Sequence, residues 1–151
     1  MSQDYITVKN RHEKFIKDVS ETETVYALKN KTGFATSSSI HYEDEDGNPI
    51  GLICFWSESA RAKSCIKDGW KEYELAEITL VEFMENWCVG MENDGLLLGT
   101  QFDNNMFGFE AEPYELILDL VDELKSLGKD LGFRKFSGIQ DLEKQVKAVL
   151  E

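Results

Sequence analysis

The chain has 151 residues, 42% hydrophobic with nine Phe, which is enough for one packed domain with a substantial core and excludes an intrinsically disordered chain. Its net charge of −13 disfavours nucleic acid as a partner, because phosphate backbones are held by clustered Lys and Arg. No apolar run reaches membrane-span length, the start MSQDYITVKN lacks the basic and apolar regions of a signal peptide, and three cysteines without a CxxC read as reduced thiols, so a cytoplasmic protein is expected.

Val8, His12, Phe15, Ile16 and Val19 share one helical face, which predicts a first helix from about Asp4 to Val19. His12 has no ligand-type residue four positions away on either side, so it reads as a half-buried, hydrogen-bonded histidine and not a metal ligand. After the polar connector Ser20 to Glu23, Val25 to Lys29 reads as a strand and Lys31-Thr32-Gly33 as a turn. Phe34 to Tyr42 then reads as a second strand that pairs back on the first and, being polar, lies near an edge. The acidic run Glu43 to Asn48 fails as a calcium loop. With Gly47 at the glycine position, the first and twelfth ligands would be Tyr42 and Ile53. Asp46-Gly47 between two strand-like runs predicts a hairpin turn instead, and Gly51 to Trp56, apolar on both faces, predicts a central strand.

Ser57, with Glu58 in the first turn and Lys63 and Lys67 toward the end, predicts a helix over SESARAKSCIKDGW. Lys63 and Lys67 flank Cys65 and would depress its thiol pKa. With no histidine near in sequence, a structural thiol is still the better reading, as it is for Cys54 and Cys88. Tyr73 to Thr79 reads as a strand. Thr79 and Glu82 form a capping box, with Ile78 and Phe83 at the staple positions. Leu80, Phe83, Met84, Trp87 and Met91 recur at helical spacing, a core stripe in preference to a ligand pocket, and Glu82, Glu85, Asn86 and Glu92 lie off it. Gly90 or the Asn93-Asp94-Gly95 turn ends this helix.

Leu96 to Phe102 reads as a buried strand in which Gly99 marks a bulge or a close backbone approach. Asp103 to Asn105 is a turn and Phe107 to Glu110 the partner strand. If the strands at Tyr73 and Leu96 are parallel, they and the helix between them form a right-handed crossover. Pro113 falls in the first turn of a helix carrying Leu116, Ile117, Leu120, Val121 and Leu124 inward, ended by Gly128 and Gly132. Ser137 and Gln140 form a second capping box, opening a last helix with Ile139, Leu142, Val146 and Leu150 inward. The basic–aromatic stretch Gly132 to Phe136 is too short for a nucleic-acid platform.

These elements predict a single α+β domain over residues 1–151, with a C-terminal helical extension at 133–151. A mixed or antiparallel sheet of about five or six strands would hold the N-terminal hairpin strands and Gly51 to Trp56 together. There is no GxGxxG after a strand, GxxxxGK[ST], HExxH or GxSxG, so no catalytic, cofactor or metal residue is assigned and no cofactor is expected. Carboxylates are so plentiful that no particular pair stands out as an acid–base site.

Four segments, RHEKFIKDVSETETVYAL, FWSESARAKSC, GWKEYELAEITLVEFMENW and MENDGLLLGTQF, between Arg11 and Phe102, resemble an uncharacterised bacterial family known as a domain of unknown function. That resemblance implies a small cytoplasmic α/β protein and carries no catalytic residues with it. More distantly, the order GLICFWSESARA, acidic helix, DGLLLGTQF and FEAEPYEL is similar to the N-terminal domain of the serine-sensitivity enhancer protein family, which would imply a protein-interaction module.

Between Asp68 and Glu123 fifteen carboxylates meet one basic residue, Lys71. The inward positions there are apolar, so the carboxylates are expected to face water, with Glu85, Glu92 and Asp119 as candidate contacts for a basic protein partner. The leading reading is a non-enzymatic protein-binding module, of which an immunity or inhibitor-type protein is a special case. The competing reading is a small-molecule binder or enzyme using carboxylates and aromatics in a cleft. Nothing in the sequence sets an oligomeric state.

Overall fold

The computed structural model describes residues 2–151. It is α+β, with seven strands in two sheets and five helices. Helix α1 (Ser2–Thr22) buries His12, Phe15 and Val19 and runs past the expected end at Val19. Strand β1 (Thr24–Asn30) turns through an Asx turn in which Asn30 Oδ1 accepts from the Thr32 and Gly33 N–H groups. It leads into the two-residue β2 (Gly33–Phe34).

The expected second strand then divides at Ala35. The buried Ala35 donates its N–H to Leu28 O and accepts from Cys54 N, so the chain leaves one sheet and enters the other. Strand β3 (Thr36–Glu43) pairs antiparallel with β4 (Pro49–Phe55) and is an edge strand, as its polarity predicts. Asp44 Oδ1 accepts from the Asp46 and Asn48 N–H groups in the hairpin turn between them, and Gly47 supplies its left-handed residue at φ +81.

Strand β4 is central in its sheet, and its alternation is two-sided. Leu52, Cys54 and the following Trp56 point into one apolar cluster, and Ile53 and Phe55 into the other. Its second neighbour is β6 (Leu97–Thr100), paired in parallel, and β7 (Phe109–Ala111) closes that sheet antiparallel to β6. Gly99 faces the Phe102 ring and Leu52 so closely that a Cβ could not be placed there, the close approach its position in the strand suggests.

Strand β5 (Glu74–Thr79) pairs antiparallel with β1, making the three-stranded sheet β2-β1-β5. Two expectations are corrected here. The N-terminal strands and β4 belong to two sheets, and β5 is not the parallel partner of β6. The parallel pair is β4–β6, and β5 pairs with β1 instead. The sheets meet where Tyr26 and Trp56 exchange both backbone hydrogen bonds at 2.8 Å.

Helix α2 (Ser59–Lys63) is far shorter than the stretch from Ser57 to Trp70 that its sequence suggests. Ser57 is not its cap, because the Ser57 N–H donates to Gln101 Oε1 and its hydroxyl to Asp18. Ala62 is the one buried residue of the helix. Beyond it the chain is drawn under the sheet, with Trp70 edge-on to Trp56, so tertiary packing overrides helical propensity.

Helix α3 is continuous through Leu80–Glu82, Phe83–Cys88 and Val89–Asp94, and its middle stretch is π-helical. Thr79 Oγ1 accepts from the Glu82 N–H, the expected cap, and Gly95 ends the helix in the left-handed conformation. The wider π turn breaks the 3.6-residue period on which the stripe is counted. Leu80, Phe83, Met84 and Met91 are buried as expected, but Trp87 sits at the rim, edge-on to Phe34, and Glu85 turns inward.

Helix α4 (Pro113–Ser126) begins with Pro113 in its first turn and buries Leu116, Ile117, Leu120, Val121 and Leu124. Gly128, at φ +69, ends it. Helix α5 (Ile139–Leu150) packs on α4 through Ile139, Leu142 and Val146, so the C-terminal extension shares the main core, while Leu150 stays exposed. The Ser137–Gln140 box does not form. Gly138 occupies the cap, Asp130 Oδ1 accepts from the Ile139 N–H at 2.8 Å, and Asp141 reaches back to the Ser137 N–H. Asp130 wins because the Gly138 backbone lies against its carboxylate, where a Cβ would clash.

Candidate functional site

A strongly acidic concavity lies between α1 and α4, with β7 at its base. It is an open cleft of about 600 Å³. Helical spacing explains its α4 wall: Asp119 follows Glu115 by four residues, and Asp122 and Glu123 follow Asp119 by three and four, opposite the buried stripe. Glu110 and Glu112 flank them at the strand-to-helix junction, and Glu13 joins from α1. Seven carboxylates therefore line the cleft against two lysines, Lys9 and Lys17.

The base of the cleft is aromatic. His12 is buried, its Nδ1 lies 2.7 Å from Thr100 Oγ1, and its ring stacks on Phe109 with centroids 4.0 Å apart. Burial pulls the imidazole pKa down from 6.5 to about 4, so His12 is neutral at pH 7. Glu110 accepts from the Ser39 hydroxyl and the Ile40 N–H, which ties the cleft base to β3.

The α4 wall is electrostatically crowded. The carboxyl of Asp119 has its pKa raised, first by partial desolvation and then by the charges of Asp122 and Glu115. No cation within ion-pair distance relieves these three carboxylates among the described residues. The arrangement favours a positively charged group entering between the helices, and the apolar walls Ile16, Ala111 and Leu116 can seat a short aliphatic stem beside it.

Of the three candidate contacts, only Asp119 lies in this cleft. Glu85, expected in water, is 2% exposed. Both its oxygens accept from the Arg134 N–H, at 3.1 and 2.9 Å, and so fasten the loop before α5 onto α3. Glu92 is partly buried, and its Oε1 accepts from the Tyr114 N–H at the start of α4, where a carboxylate also favours the helix dipole. Sequence reasoning missed Glu13, Lys9 and Lys17 as the facing wall, because nothing local brings α1 against α4. The acidic spacing of α4 itself was readable.

The thiols offer no competing site. Cys65 borders a smaller pocket of about 300 Å³, but the expected depression of its pKa is reversed. Burial raises it, and this outweighs the Ser64 hydrogen bond and the nearby Lys67 charge. Its sulfur lies 3.5 Å from Phe102 O. Cys54 and Cys88 are fully buried, and burial pushes both thiols far up. No group of three His, Cys, Asp or Glu is set to hold a metal ion among the described residues, and no helix is long and apolar enough to cross a membrane.

Residues 12–120 match the family DUF2750, described as a protein of unknown function, and the chain belongs to that family. The match covers most of the segments that carry the first resemblance, and nothing in the comparisons supports a relation to the serine-sensitivity enhancer family. No curated protein matches the chain, and no solved structure does.

Proposed function

We propose that this member of the DUF2750 family is a non-enzymatic binding module that takes a basic segment of a partner protein into the cleft between α1 and α4. The observation that carries the reading is the α4 wall. Desolvation first, and then the charges of Asp122 and Glu115, raise the Asp119 pKa, and an incoming Lys or Arg side chain would relieve the repulsion among the three carboxylates. An inhibitor of a basic protein would use the same surface, because a field of one sign speeds encounter with its complement.

A second reading has one specific observation behind it. The cleft volume of about 600 Å³ lies within the range of small-ligand pockets, so a small aliphatic diamine would fit the same chemistry. An NMR titration with a Lys/Arg peptide and with a simple diamine separates the two. The peptide should shift amides along both helices and bind more tightly, because it fills the length of the groove. Tighter binding of the diamine would favour the small-ligand reading, and shifts spread evenly over the acidic surface would remove both.

A further inference from the structure

We propose that a second pocket, between the first half of α1, β3 and the β6–β7 turn, binds an amphipathic carboxylate, an apolar chain or ring ending in a single carboxylate group. The cavity has a volume of about 560 Å³, a size suited to a small ligand. Its walls are Tyr5, Val8, Ile40 and Phe107, and three of these are large side chains left open to solvent, Tyr5 at 60%, Ile40 at 74% and Phe107 at 58%. A cluster of exposed apolar side chains around one concavity is unusual on a highly charged surface and marks a binding site.

The polar lining of this pocket differs from that of the acidic cleft: Arg11 and its ion-pair partner Asp103 both line it, beside His41. A guanidinium carries five donors, yet the side-chain contact of Arg11 is a single long one, Nη1 to Asp103 Oδ2 at 3.4 Å. Its Nε–H is buried and has no acceptor among the described residues. Asp103 is not free to move closer, since its Oδ1 accepts from the Asn105 and Phe107 N–H groups and shapes the turn. An under-used planar cation among apolar side chains matches a carboxylate in shape and in sign, and the low polarity around it strengthens the attraction.

The edge of β3 excludes one other occupant, an added peptide strand. The N–H groups of Ile40, His41 and Tyr42 are already taken by Glu110 and Ser39 side chains, so the part of that edge beside the pocket has no donors to offer. This pocket and the acidic cleft use different side chains and ligands of opposite charge, so each reading stands without the other.

The test is a set of three NMR titrations of the full chain, with octanoate, octan-1-ol and octylamine. Octanoate should saturate, with shifts centred on Tyr5, Val8, Arg11, Ile40 and Phe107, and octanol and octylamine should bind roughly tenfold more weakly. Arg11→Gln should abolish the preference for octanoate over octanol while leaving octanol binding in place. Ile40→Asn, at an exposed position that leaves the core intact, removes part of the apolar wall and should weaken all three, which keeps the proposal testable if Arg11→Gln fails to fold. Equal binding of octanoate and octanol, preference for octylamine, shifts elsewhere on the surface, or no saturation at millimolar concentration would each overturn it.

Discussion

The imidazole of His12 and the ring of Phe109 lie nearly parallel, 13° apart in plane and 4.0 Å between centroids, and together they form the base of the acidic cleft. Because the same imidazole is bonded to Thr100, the first helix is anchored to the end of β6 through a group that titrates. Burial makes the charged form costly. The unfolded chain takes up a proton near pH 6.5, whereas native His12 resists it down to about pH 4. The native state binds fewer protons in that window, so stability falls as pH falls through it. The loss attributable to His12 should approach roughly 3 kcal/mol at the acid end. Urea denaturation of wild type and His12→Gln at several pH values isolates this term, because the carboxylates common to both cancel. Parallel curves for the two proteins would show that His12 is not refusing the proton.

Asp119 gives the opposite sign. Its native pKa is raised, so in the window just above the ordinary carboxylate range the native state holds more protons than the unfolded chain. Stability then rises as pH falls through that window, and ionised Asp119 subtracts from stability at neutral pH. Asp119→Asn should therefore raise Tm at pH 7, and the gain should shrink as salt screens Asp122 and Glu115. A lower Tm for the variant would mean that Asp119 has a stabilising partner.

Glu85 should behave as a structural acceptor. Replacing it by Ala leaves the Arg134 N–H without its partner and opens space beneath the loop, a loss of roughly 1–3 kcal/mol. Glu85→Gln keeps one acceptor oxygen and should recover part of that loss. Chemical denaturation of the two variants distinguishes an acceptor role from a charge role: equal losses would point to the charge.

The thiols should be silent in the native state. Burial raises all three pKa values, so iodoacetamide should modify Cys54, Cys65 and Cys88 slowly in native buffer and rapidly in denaturant. Mass spectrometry after timed quenching measures both rates. Rapid alkylation of Cys65 alone would restore an exposed thiolate there.

Much of the fold was legible because local rules and tertiary contacts agreed. The Thr79 cap, Pro113 at its helix start, the Asp46-Gly47 hairpin and the two-faced apolar strand around Leu52 to Phe55 all combine a backbone requirement with a residue that meets it. The misreadings fall where distant residues decide. Ala35 moves the chain between sheets through bonds to Leu28 and Cys54, and no local pattern marks that step. Glu85 lies inside because a π turn replaces an α turn, and the stripe was counted on the α period. Half of the cleft was likewise visible, as acidic residues at helical spacing in α4. Its other half required knowing that α1 lies opposite.

Charge reversal at two places tests binding in the cleft most directly. Asp119→Lys with Asp122→Lys changes the cleft wall. Glu45→Lys with Asp46→Lys changes the exposed β3–β4 turn by the same total charge. Fluorescence anisotropy of one labelled Lys/Arg peptide should show binding to wild type that weakens as salt rises past about 0.1 M. The cleft pair should lower affinity at least roughly tenfold and the turn pair by less than about twofold, since only the cleft pair meets the bound cation at short range. Equal losses in the two variants would mean that the peptide responds to net charge alone and would contradict a binding cleft between α1 and α4.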